Sequence, residues 1–134
     1  MTMERINPAE LARPSGFSHA IRVPVGDMIF LAGQIGMDRD GKVAAGGVVP
    51  QFEQALANLL TALAAAGGQP SDLISLTIYL TDVEDYQAHG KEIGAVWRRL
   101  AGTEYPAMAG VGVTRLWLPE ALVEIQGVAM VSRS

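Results

Sequence analysis

Tyr105-Pro106-Ala107-Met108-Ala109-Gly110-Val111-Gly112-Val113 and, shortly after it, Val123-Glu124-Ile125-Gln126 decide how this chain is read. The first segment is a predicted strand with glycines where backbone can come close to a ligand. The second places a carboxylate on an otherwise apolar strand. Together they point to a small-molecule pocket built from strand ends.

Upstream, Leu73 to Leu80 alternates Ile74, Leu76, Ile78 and Leu80 with Ser75, Thr77 and Tyr79, a period-two strand with one apolar face. Before it, Gln51 to Ala66 carries Phe52, Leu56, Leu59, Leu60 and Leu63 at helical spacing, ended by Gly67-Gly68 as a C-terminal cap. After it, Thr81-Asp82-Val83-Glu84 has the spacing of a capping box, followed by Tyr86, Ile93, Trp97 and Leu100 at helical intervals up to Gly102. Nearer the N-terminus, His19 to Val25 and Met28 to Ile35 read as a hairpin bent at Gly26-Asp27. Residues 1–16, with Pro8, Pro14 and Gly16, suit an irregular arm with at most one short strand. With strands at about 106–115 and 122–131, the expected order is β-β-α-β-α-β-β.

A chain of 134 residues is expected to form one domain, 1–134, with a single core. Two helices cover only one face of such a sheet, yet Met28, Phe30, Ala32, Val128 and Met130 alternate with neighbours that are also apolar. The strand from Met28 to Ile35 is therefore expected to be buried on both faces, the second by another subunit. A composition 49% apolar and only 18% charged agrees. Net charge is −4 and the basic residues are scattered, which argues against nucleic-acid binding. The absence of cysteine excludes disulfides, zinc-thiolate sites and cysteine nucleophiles. No apolar run is long enough to span a bilayer, and a cytoplasmic protein with no membrane partner is expected.

Phe30-Leu31-Ala32-Gly33-Gln34-Ile35, Phe52-Glu53-Gln54-Ala55-Leu56-Ala57-Asn58-Leu59, Thr77-Ile78-Tyr79-Leu80-Thr81-Asp82, Tyr105-Pro106-Ala107 and Val123-Glu124-Ile125 form a series that resembles the RidA/YjgF family of enamine/imine deaminases, formerly labelled endoribonuclease L-PSP. The landmarks follow the family's order from about residue 17 to 131. The resemblance implies a chorismate-mutase-like α+β domain, a mixed β-sheet with two helices on one face, assembled as a homotrimer with ligand clefts between subunits. It implies no metal and no organic cofactor. Glu124 aligns with the carboxylate that orients or activates the attacking water, and backbone near Gly33 and Gly110 lines the site. The substrate-carboxylate arginine of the deaminating members is replaced by Met108, a serine by Ala32, a tyrosine by Phe17 and an asparagine by Gly90. Arg115, seven residues past Met108, falls on the opposite face by strand parity and is no substitute.

Each candidate has a plainer reading. Glu124 is either a proton-shuttling carboxylate or a structural one bonded across an interface. His89, beside Gly90, is either a replacement acid or base or a solvent-facing helix residue; His19 reads as a surface residue. Met108 either lines an apolar recognition pocket or fills the space of the lost arginine. Phe17 is a lid or an anchor of the arm. Trp97, Tyr86 and Phe52 read as packing, and Asp38-Arg39-Asp40-Gly41 as a polar turn rather than a calcium loop. Two functions remain open: hydrolysis or tautomerisation of an enamine or imine other than the 2-aminoacrylate type, and a non-catalytic metabolite-binding or regulatory module. The older ribonuclease label fits poorly with the acidic balance and the lack of a paired histidine site.

Overall fold

Alternation in strand β4 (Leu73–Leu80) frames the molecule: Leu76, Ile78 and Leu80 are buried while Thr77 and Tyr79 turn to the other side. The structure, a computed structural model, describes residues 3–132, so the arm is described from Met3. Around β4 the elements are β1 (Glu4–Ile6), β2 (Ala20–Arg22), β3 (Gly26–Ile35), α1 (Val48–Ala65), α2 (Val83–Ala88), α3 (Gly90–Ala101), β5 (Ala107–Gly112) and β6 (Val123–Ser132). The main sheet has the order β3-β6-β4-β5, with β5 parallel to β4 and the other pairs antiparallel. This is a mixed α+β single domain.

Helix α1 lies on β3 and β6 and against α3. Its Phe52, Leu56, Leu59 and Leu63 are fully buried, each contributing about 1.5–3 kcal/mol of hydrophobic stabilisation. Gly36 lets the helix approach, because a Cβ there would overlap the Gln51 backbone. The helix begins at Val48, three residues before the predicted start, since Pro50 is tolerated in a first turn where its missing N–H has no intrahelical partner. At its end Gly67, at φ +89°, donates to the Ala64 carbonyl and Gly68 to that of Leu63, a Schellman closure.

Two sequence expectations need correction. The hairpin of His19–Val25 with Met28–Ile35 does not form: β2 is only Ala20–Arg22 and pairs with β1, while β3 pairs with β6. Pro24 lacks the N–H that a longer β2 would need. The helix expected after Thr81 is broken at His89 into α2 and α3, and the cap is Asp82, whose carboxylate accepts the Asp85 N–H at 3.0 Å. Strand β3, expected to need a second subunit for its other face, is covered on one face within the chain and open on the other. Leu31 and Ile35 are covered, but Met28 and Phe30 are 51% and 75% exposed, with Val128 and Met130 opposite them on β6.

The register divides the side chains between two faces. Met108 pairs with Leu76 and Gly110 with Ile78, on the helix-covered face. Glu124 pairs with Tyr79, on the open face.

Candidate functional site

A cleft of about 530 Å³, a size suited to a small ligand, opens where the start of β5, helix α3 and the N-terminal arm meet. Met108 and Gly110 form part of its floor, Gly90 and Gly94 one wall, and Phe17 an edge. The arm is pinned there by Ser18, whose N–H donates to the Pro106 carbonyl and whose hydroxyl donates to that of Tyr105 at 2.7 Å. Arg5 adds a second donor to the same Tyr105 carbonyl and ion-pairs with Glu104. Phe17 is held edge-on to His19, itself bonded to the Ala12 carbonyl, so His19 orders the arm.

Tyr86, Trp97 and Phe52 do double service, packing the core and lining the cleft. Burial raises the Tyr86 hydroxyl to about 12, so it stays a neutral phenol at physiological pH. Trp97 stacks on Tyr105 with ring centroids 6.0 Å apart. Its Nε1–H is buried with no acceptor among the described residues, at a cost of about 1–3 kcal/mol. Among the described residues Arg98 is the only charged side chain lining the cleft. Sequence reasoning passed over it, although Gly90, Gly94 and Arg98 are spaced four apart and therefore share one helix face.

Glu124 stands elsewhere. Three steps along β3 from Leu31 to Gln34 match two along β6 from Gly127 to Ile125, so Ala32-Gly33 forms a bulge. The Glu124 side chain lies across it: a Cβ on Gly33 would overlap the carboxylate. Gln51, buried, secures the approach to β6 by donating to the Glu120 carbonyl and accepting the Leu122 N–H at 2.8 Å.

The candidate residues thus fall into two groups. Phe17, Gly90, Met108 and Gly110 share the cleft; Ala32, Gly33 and Glu124 share the open face of the sheet. His89 joins neither group. Its Nδ1 lies 2.8 Å from the Asp85 carbonyl oxygen and 3.3 Å from the Asp85 carboxylate. The carbonyl hydrogen bond raises the His89 pKa, opposed in part by desolvation and reinforced by the charges of Asp85 and Glu92. Arg115 lies beyond the end of β5, so strand parity does not govern it; its Nε donates to the Leu116 carbonyl beside the exposed Trp117. Asp38 closes the predicted polar turn, its carboxylate accepting the N–H groups of Asp40 and Lys42.

The family model described as Endoribonuclease L-PSP matches residues 8–131. A RutC family protein of Pyrococcus horikoshii is 34% identical over 119 residues, covering 87% of this chain and 89% of the relative. A 2-iminobutanoate/2-iminopropanoate deaminase of Dermatophagoides farinae is 31% identical over 134 residues, covering 98% of this chain and 99% of the relative. Among solved structures, YyfB of Yersinia pestis, a protein of unknown function in the Rid family, superposes with a TM-score of 0.84 at 34% identity, covering 98% of this chain and 100% of its own.

Proposed function

Because this chain belongs to the endoribonuclease L-PSP family, the RidA/YjgF proteins, we propose that it is a cytoplasmic homotrimer that hydrolyses an enamine or imine in clefts shared between subunits. The observation that carries this reading is the division of the site. Among the described residues no carboxylate lines the Met108 cleft, and Glu124 lies on the opposite face of the sheet. A head-to-tail cyclic contact joins one copy's cleft to the next copy's Glu124. It also covers Met28, Phe30, Val128 and Met130, an apolar patch costly to leave in water.

In the assembled site the imine carbon lies over Met108 and Gly110. Glu124 of the adjoining copy takes a proton from water as the oxygen bonds to that carbon, and the C=N electron pair moves to nitrogen. The same carboxyl returns the proton to nitrogen, giving a carbinolamine; it then relays the hydroxyl proton to nitrogen as the C=O bond forms and the C–N bond breaks, leaving a carbonyl compound and ammonia. Met108 offers no cation at the cleft floor, so imines whose carboxylate adjoins the imine carbon are turned over poorly. A second reading, a binding module without chemistry, draws on Phe17, Ala32, Gly90 and Met108, none of which offers a polar side chain.

Mixing subunits tests the shared site. Glu124→Gln and Gly110→Trp, which fills the cleft, should each be inactive alone. Unfolded together and reassembled as random trimers, they should regain activity at about one quarter of the sites, where an open cleft meets an intact Glu124. Ammonia release from a panel of imines generated in situ is the readout. No recovery, with both parents folded and trimeric, would refute the shared site; ligand binding without ammonia from any imine would favour the module.

A further inference from the structure

Arg98 stands out among the arginines around the cleft. Arg5 is tied to Glu104 and Arg99 to Glu53 at 2.7 Å, whereas the guanidinium of Arg98 has no hydrogen bond or ion pair among the described residues. Helical side chains lean toward the preceding turn, and here that turn presents Gly94. The guanidinium Nη1 lies 3.2 Å from where a Gly94 Cβ would be, folded back along the Gly90–Gly94 stripe that forms the cleft wall. A side chain at position 94 would press against it. Trp97, which lines the same cleft, carries a buried Nε1–H with no acceptor among the described residues.

We propose that Arg98 is a specificity-determining residue that binds the carboxylate of the ligand from the helix side of the cleft. The inference rests on reading this cleft as the ligand site. A planar guanidinium is suited to bidentate contact with a carboxylate, and its charge is otherwise unmatched in this cleft. Position then defines the ligand class. Arg98 is exposed at the rim, while Met108 is half-buried on the floor. A ligand spanning both has an apolar portion and its reacting carbon over Met108, and its carboxylate several bonds away at Arg98. The favoured substrates are therefore imines or enamines of oxo acids with a remote carboxylate.

Calorimetric titration with stable carbonyl probes tests this without requiring turnover. The wild-type trimer should bind 4-oxopentanoate about ten- to hundredfold more tightly than its methyl ester, as expected for a hydrogen-bonded charge pair. It should also prefer it to 2-oxobutanoate, whose carboxylate adjoins the carbonyl. Arg98→Gln should bring acid and ester to within about twofold of each other, Arg98→Lys should retain part of the preference, and Arg115→Gln should leave it intact. An acid preference that survives Arg98→Gln, or no preference in the wild type, overturns the proposal; equal binding of 2-oxobutanoate overturns the rim placement. Arg98-dependent binding with no turnover of any imine would leave this inference standing and remove the hydrolase. Turnover indifferent to Arg98 would do the reverse.

Discussion

The two faces of the sheet are built from the same strands and solve different problems. On one, Leu76, Ile78, Val123, Ile125 and Ala129 meet α1 and α3 in a closed core that leaves a cleft at its edge. On the other, Met28 and Phe30 are bare and Glu124 is held across Gly33. Burial on the first face stabilises the chain by itself, whereas on the second it becomes available only through association. The candidate site is divided the same way, with the cleft on the covered face and the Glu124 carboxylate on the open one.

The largest expected effect comes from charging the open face. Phe30→Asp should change the stability of the lone chain by no more than about 1 kcal/mol, yet convert the assembly to monomers on light scattering and abolish turnover with it. A variant that remains assembled would place the interface elsewhere. Leu59→Ala should act on the other face alone, costing about 2–5 kcal/mol in urea unfolding of the assembly-deficient Phe30→Asp background. A loss under 1 kcal/mol would contradict the closed core described for that face.

Gly33→Ala is expected to displace the Glu124 carboxylate while leaving fold and assembly intact, lowering kcat about tenfold with little change in KM. An unchanged kcat would remove Glu124 from the chemistry. The smallest effect belongs to His89, which joins neither half of the site. Its folded pKa lies above the ordinary 6.5, so its stabilising contribution is full below that value and fades as pH rises through the folded pKa. The Tm difference between wild type and His89→Gln should therefore be larger at pH 5.5 than at pH 8.5, with kcat unaffected. A change in kcat instead would return His89 to the catalytic candidates.

Legibility in the sequence followed the range of each interaction. The alternation of Leu73–Leu80 and the spacing of Phe52, Leu56, Leu59 and Leu63 reflect local periodicity, and both elements form where expected apart from their ends. The false hairpin came from treating neighbouring strands as partners; β3 instead pairs with the last strand, nearly a hundred residues away. Arg98 was missed because an arginine on an amphipathic helix ordinarily faces solvent, and only the glycines at 90 and 94 distinguish it.

What the sequence by itself determined was the set of parts: which segments become helix or strand, that one sheet face lacks a helical cover, and that Glu124 and Met108 are unusual in their surroundings. These follow from side-chain chemistry read at periods of two and 3.6, which act within a few residues. Only the tertiary structure decided that β6 enters between β3 and β4, that Met108 and Glu124 therefore point to opposite faces, and that Arg98 rather than Arg115 reaches the cleft. Strand order and register depend on contacts between residues distant along the chain, and a shift of one residue in register exchanges one face for the other.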